Sequence, residues 1–83
     1  MVNRRILIFE RKSSESNLEQ DVEKAKALIS KPNDILKLDI FSNGDEIRVV
    51  YHNDCSGIKT PYEDQIKECI QNLGYNHQSS QYL

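Results

Sequence analysis

The sequence ILKLDIFSNGDEIRVVYH, residues 35–52, alternates apolar and polar side chains on both sides of Asn43-Gly44. Alternation of this kind is typical of strands that bury one face. Asn-Gly supplies the positive φ angles that a two-residue type I′ turn requires. Residues 35–52 are therefore predicted to form a β-hairpin in which Ser42 lies opposite Asp45.

This register sorts the side chains of the hairpin by polarity. One face pairs apolar residues with one another: Ile40 with Ile47, Leu38 with Val49, and Leu36 with Tyr51. The other face pairs Phe41 with Glu46, Asp39 with Arg48, and Lys37 with Val50. Favourable cross-strand pairs contribute about 0.2–1 kcal/mol each, and a slip by one residue would exchange the two faces. The apolar face is therefore predicted to lie against the core.

Upstream of the hairpin, the sequence predicts a strand and a helix. The continuous apolar run from Ile6 to Phe9 predicts a strand over residues 4–11 with apolar side chains on both faces. Ser16 and Glu19 have the spacing of a capping box, in which each side chain bonds a free backbone N–H at the start of a helix. The helix is predicted to end at Lys31-Pro32, and its apolar stripe consists of Leu18, Val22, Ala25, Leu28 and Ile29.

Downstream of the hairpin, the sequence predicts a second helix. Thr60 is typical of an N-cap, Pro61 of a first helical position, and Gly74 of the left-handed residue that closes a helix. The apolar stripe of this helix consists of Tyr62, Ile66, Cys69, Ile70 and Leu73. Residues 75–83 are polar and do not alternate, so they are predicted to form a tail, a weak edge strand, or a segment that orders against a partner.

The element order is β-α-β-β-α, which predicts an α+β fold built as a two-layer sandwich. Residues 1–74 are assigned to one domain, with a three-stranded sheet, or a four-stranded sheet if residues 75–83 add a strand. Both helices are expected on one face of the sheet, because each has a single apolar stripe. This arrangement resembles the ferredoxin-like split motif, a fold that hosts many functions and by itself implies none.

Composition and charge limit the classes of function. The 83 residues are 37% hydrophobic and 29% charged, and they contain no apolar run near 18 residues, which argues against a membrane helix. The first residues return to charge too soon for a secretory signal, and two cysteines are few for a small secreted domain. A cytoplasmic protein with reduced thiols is therefore expected.

The face of the sheet opposite the helices, here called the open face, is the predicted contact surface. It combines an apolar strip with flanking charges, and exposed patches of this kind commonly bind other proteins. The first strand contributes either Leu7 with Phe9 or Ile6 with Ile8. We expect a small non-enzymatic protein-binding module, acting as an adaptor, inhibitor or accessory subunit or as a homodimer. The predicted contact residues are Phe9, Lys37, Asp39, Phe41, Arg48 and Val50.

Binding of single-stranded nucleic acid on the same face is the alternative. Exposed aromatic side chains on a sheet can stack bases while arginines hold phosphates. The candidate residues for this function are Arg4, Arg5, Phe9, Arg11, Phe41 and Arg48. Charge argues against it, because residues from Ser13 onward carry seven basic and twelve acidic side chains, a net charge of -5. The aromatic and basic consensus of RNA-binding sheets is also missing from residues 47–52.

Catalytic and metal chemistry find little support in the sequence. His52, Cys55, Cys69 and His77 do not have the spacing of a zinc site, and Cys69 belongs to a helix stripe. His52, Asp54 and Cys55 are too close in sequence to converge as a nucleophile with its base. Residues 56–60, SGIKT, lack the upstream glycine of a phosphate-binding loop. No catalytic residue, metal or cofactor is therefore expected.

Overall fold

A computed structural model describes residues 3–15, 17–30, 35–53 and 61–82. The elements are β1 (Asn3–Arg11), α1 (Leu18–Leu28), β2 (Ile35–Asn43), β3 (Glu46–Asn53), α2 (Pro61–Asn72) and β4 (Tyr75–Tyr82). The four strands form one sheet in the order β2-β3-β1-β4, and each neighbouring pair is antiparallel. The predicted α+β class is confirmed, and the sheet has four strands because β4 pairs with β1 at its edge.

The β2–β3 hairpin is present, but its predicted register is wrong by two residues. Asn43 pairs with Glu46 and Ile40 with Val49, so the two loop residues are Gly44 and Asp45. Gly44 has a φ of 61°, whereas no described non-glycine residue has a positive φ. This sign pattern is that of a type II′ turn, which needs glycine only at its first loop position. A shift of two residues preserves the side-chain alternation, so the face assignments of the hairpin are unaffected.

The turn is also bonded to β1. The backbone N–H of Arg11 donates to the Asp45 carbonyl at 3.1 Å, and the Arg11 guanidinium contacts the Asp45 carboxylate at 2.6 Å. The turn is therefore fastened to β1. In the observed register only Gly44 takes a positive φ, whereas the predicted type I′ turn would also require one at Asn43, and this accounts for the observed register.

The helix ends follow their local signals only in part. Asn17, not Ser16, is the N-cap of α1, because its Oδ1 accepts the backbone N–H of Gln20 at 3.2 Å. Ser16 and the predicted signals at Lys31-Pro32 and Thr60 lie outside the described residues. Helix α2 begins at Pro61, and Gly74 follows it with a φ of 100°, as predicted. Neither described helix, of 11 and 12 residues, is long and apolar enough to span a membrane.

Both helices pack on the same face of the sheet. The core combines apolar residues of α1 and α2 with inward-facing residues of all four strands. Its fully buried members include Leu7, Phe9, Ile35, Ile47, Val49, Tyr51, Ile66, Ile70 and Tyr75. Cys69 and Leu73 pack at its margin, whereas Leu28, which the sequence placed in the stripe of α1, is 65% exposed.

The orientation of β1 resolves the alternative that its sequence left open. Leu7 and Phe9 are fully buried against the helices, so Ile6 and Ile8 point to the open face. Ile35, at the start of β2, is also fully buried. The strand has a register shift between Ile35 and Lys37, which changes the alternation there and brings Ile35 into the core.

Candidate binding surface

The open face has two rows at its centre, each with two apolar and two polar or charged side chains. Strand alternation and the observed pairings place Asp39, Val50, Ile6 and Gln81 in one row, and Phe41, Arg48, Ile8 and Ser79 in the next. Phe41 is 41% exposed, and Ile8 and Val50 are partly exposed. Ile6 is 8% exposed and does not belong to the core cluster. Neither helix covers this strip.

Charges of opposite sign occupy the two ends of the open face. At one end Arg4 pairs with His52, which in turn pairs with Lys37. At the other end Glu10 of β1 pairs with Glu46 of β3. The end that carries Arg4 and Lys37 is therefore basic, and the end that carries Glu10 and Glu46 is acidic. Because like charges directly opposite one another destabilise a sheet, the Glu10–Glu46 pair is unfavourable by itself.

Short-range contacts compensate part of this charge. The Arg48 guanidinium lies 2.9 Å from Oε1 of Glu46, and the Lys37 ammonium lies 3.8 Å from the Asp39 carboxylate. Glu10 accepts a hydrogen bond of 2.9 Å from the neutral amide of Gln78. The contact to Glu10 adds no positive charge, so the acidic end retains its sign.

The structure separates the residues that the sequence grouped as a site. Lys37, Asp39, Phe41, Arg48 and Val50 share the open face, and Arg4 lies at its basic end. Phe9, Arg5 and Arg11 do not belong to this surface. Phe9 is fully buried in the core, which corrects its assignment as a contact residue and as a stacking platform. Arg5 and Arg11 point to the helix side, because they alternate in phase with Leu7 and Phe9.

Arg5 belongs to a buried ionic cluster between β1, α2 and β4. Its Nε and Nη2 atoms contact Oε1 of Glu63 at 2.9 and 2.5 Å, and the Glu63 side chain is fully buried. The Lys67 ammonium lies 3.9 Å from Oε2 of Glu63. Burial raises the pKa of the Glu63 carboxyl, but hydrogen bonding and charge from Arg5, with the charge of Lys67, outweigh it. The pKa therefore lies below its ordinary value of 4.5.

His77 and Ser80 lie beside this cluster on β4. His77 Nε2 and Ser80 Oγ share a hydrogen bond of 2.7 Å, and the imidazole is tilted against the Phe9 ring at 5.3 Å. Burial, with the charge of Lys67, lowers the pKa of His77 from its ordinary value of 6.5. A catalytic serine–histidine pair needs a carboxylate that orients the histidine. Here the nearby carboxylate, Glu63, is bonded to Arg5, so the contacts favour a structural role.

A second buried polar contact fastens β4 to α1. The Tyr75 hydroxyl donates to Oδ2 of Asp21 at 2.7 Å, and both residues are buried. Burial and the hydrogen bond to Asp21 raise the pKa of Tyr75 well above its ordinary value of 10.0. The hydroxyl therefore stays protonated and able to donate at physiological pH.

Replacing Tyr75 by Phe is expected to destabilise the domain by about 1.5–3 kcal/mol, because the Asp21 carboxylate would lose a charge-assisted hydrogen bond while remaining buried. Denaturant unfolding followed by circular dichroism measures this loss. Tyr82→Phe is the matched control on the same strand, since Tyr82 is 56% exposed and its ring lies 4.4 Å from the Arg5 guanidinium carbon. The control retains that ring contact, so equal losses in the two variants would contradict the prediction.

A shallow groove of about 510 Å³ lies between the end of α1 and α2. Its lining includes the exposed Leu28 and the Cys69 thiol, whose pKa is raised by burial. The raised pKa disfavours the reactive thiolate form of Cys69.

No three of the described His, Cys, Asp and Glu side chains are grouped as metal ligands. Cys55, Asp54 and residues 56–60 lie outside the described residues.

Sequence reasoning missed the Arg5–Glu63 pair, although a signal for it was present. Glu63 lies in the first turn of α2, where acidic residues are common, yet it precedes Ile66 by three positions and Ile70 by seven, which puts it on the buried side of α2. Arg5 alternates in phase with Leu7. Two oppositely charged residues in phase with core positions are a recognisable signature of a buried pair.

Comparison with known proteins gives no assignment of family or function for this chain. The chain matches no protein-family model, and no curated protein matches its sequence. The open face and the buried cluster are therefore interpreted from their own chemistry.

Proposed function

We propose that this chain is a small, non-enzymatic, cytoplasmic protein-binding module that acts as an adaptor, inhibitor or accessory subunit through its open face. The observation that carries the proposal is the difference between the two faces of the sheet: both helices occupy one face, and an apolar strip with exposed Phe41 lies on the other.

We further propose that the fold is ferredoxin-like, because the element order and the strand order β2-β3-β1-β4 match a split β-α-β arrangement.

Several contacts support protein binding over nucleic-acid stacking. Phe41 is the one aromatic side chain of the proposed surface once Phe9 lies in the core. Arg5 is bonded to Glu63 and Arg11 to Asp45, which removes two of the phosphate contacts suggested by the sequence. Of the two arginines that remain, Arg48 is bonded to Glu46, and Arg4 lies at the basic end of the face. A mixed-charge rim around an apolar strip is more typical of a protein interface than of a phosphate-binding groove.

Phe41→Asp is expected to weaken partner binding about tenfold or more, because it places a charge in the apolar strip that a partner would desolvate. The fold should remain intact, since Phe41 points away from the core. Affinity capture with the tagged protein, from lysate of the cells that make it, followed by quantitative mass spectrometry, measures the change. Leu28→Asp is the matched control, because it adds the same charge at an exposed apolar position on the helix side. Captured proteins that do not depend on Phe41, or that depend equally on Leu28, would reject the open face as the binding surface.

A further inference from the structure

We propose that the open face binds a second copy of this chain in an antiparallel, face-to-face arrangement, with the basic end of each copy over the acidic end of the other. The proposal rests on the function proposed above and names the partner. It is carried by charge complementarity within a single surface.

The charges of the open face are divided between its two ends within one copy. Arg4 and Lys37 flank His52 across three neighbouring strands at one end of the open face. Glu10 and Glu46 face each other at the opposite end, six residues along β1. The Glu10–Glu46 pairing places like charges directly opposite one another, at a cost that the contact of Arg48 with Glu46 offsets in part. A partner with the reverse pattern would remove that cost.

A second copy of the same face supplies the reverse charge pattern. A half-turn about an axis lying between the two faces, perpendicular to the strands, reverses the strand direction of the second copy. Arg4 of one copy then faces Glu10 or Glu46 of the other, and the symmetry repeats each contact. Aligned sheets cross at only about 30°, so the opposite ends remain over one another. The alternative half-turn, about the strand direction, would set like charges against like.

The middle of the face is apolar at β1, where Ile6 and Ile8 lie. In this arrangement the two central rows of one copy exchange places over those of the other, so that Ile6 faces Ile8. By the same operation Phe41 lies over Asp39 of the other copy and Val50 over Arg48, so apolar side chains of the two copies meet along β1. Arg48 lies in the same rows, but its guanidinium is bonded to Glu46 at 2.9 Å at the acidic end. The cation therefore has a partner within its own copy.

The size of the face sets the expected affinity. Four strands about 4.8 Å apart and six residues of rise at about 3.4 Å give a footprint of about 20 Å by 20 Å. This is small beside the ~800 Å² per partner of typical stable complexes. We therefore expect a reversible dimer with a Kd on the order of micromolar, weakened by salt because its charges lie at the exposed ends.

Sedimentation equilibrium of the purified full chain, from low micromolar to millimolar concentration, tests the proposal. Arg4→Glu and Glu10→Arg should each raise the dimer Kd about tenfold, because each replaces two attractive contacts by two repulsive ones. The double variant R4E/E10R should restore the Kd to within about threefold of the wild type, since the exchanged ends are again complementary. Lys24→Glu, a charge reversal on the exposed surface of α1, is the matched control and should leave the Kd unchanged.

Three results would overturn the proposal. A monomer throughout the concentration range would remove the second copy as the partner. A dimer unaffected by either single reversal would contradict the antiparallel orientation, and a dimer unaffected by Phe41→Asp would place the contact elsewhere, for example at the β4 edge. A monomeric chain that still captures another protein in a Phe41-dependent way would leave the proposed function standing. Loss of that dependence would reject the proposed function itself.

Discussion

Replacing Phe9 by Ala is expected to destabilise the domain by about 3–5 kcal/mol, because it removes a fully buried aromatic ring and leaves a cavity beneath the helices. Domains of this length are stable by only about 4–12 kcal/mol, so the variant should be close to unfolding. Urea unfolding followed by circular dichroism measures the loss.

Ile8→Ala, one residue away on the same strand, is the control for the Phe9 variant. Ile8 lies on the open face and is partly exposed, so its truncation should cost about 1 kcal/mol or less. A large loss for Ile8 with a small loss for Phe9 would reverse the faces of β1. It would also return Phe9 to the binding surface.

Replacing Arg5 by Met is expected to cost about 3 kcal/mol, because it removes the guanidinium that donates two hydrogen bonds to one oxygen of a fully buried carboxylate. The double variant Arg5→Met with Glu63→Met should recover most of that loss, since it leaves no buried charge. Arg48→Met is the control, because Arg48 and Glu46 are partly exposed and such pairs contribute about 1 kcal/mol or less. A double variant as unstable as Arg5→Met alone would show that the pair acts through packing rather than charge.

The same pair gives a pH dependence with a defined sign. The pKa of Glu63 is lower in the folded chain than its ordinary value of 4.5. Its contribution to stability is therefore fully present above that pH and is lost as the pH falls through the folded value. The pKa of His77 is also lower in the folded chain than its ordinary value of 6.5. The stability of the fold should therefore begin to decrease as the pH falls below 6.5, before Glu63 is protonated. The double variant without Arg5 and Glu63 should still lose stability where His77 becomes protonated, but it should not show the further loss at lower pH that comes from protonation of Glu63.

Local patterns predicted the elements well because each depends on a few neighbouring residues. The β2–β3 hairpin, Pro61 at the start of α2 and the positive φ of Gly74 follow directly from the sequence. The register of the hairpin does not, because the sequence does not decide whether Asn43 and Gly44 both take a positive φ in the turn or Gly44 alone does. Because side chains alternate along a strand with a period of two, a register shifted by two residues gives the same separation of apolar and polar faces, and the sequence pattern cannot distinguish the two registers.

The candidate surface was predictable to a similar degree. Alternation along the hairpin correctly placed Phe41, Arg48 and Val50 on one face. It could not orient β1, which is apolar on both faces, and so Phe9 was placed on the surface. The strand pairings supply what the sequence could not: they set Glu10 beside Glu46 and Arg4 beside His52, and the division of charge between the two ends appears only there.

The central position of β1 has a consequence for synthesis on the ribosome. This strand is translated first, yet its two neighbours, β3 and β4, are translated about 40 and 70 residues later. At about 5–20 residues per second, the nascent strand waits several seconds with both edges unpaired. During that interval its Ile-Leu-Ile-Phe segment has neither neighbouring strand to pair with. Translation speed through residues 12–75 should therefore affect the yield of folded protein more than the stability of the finished domain.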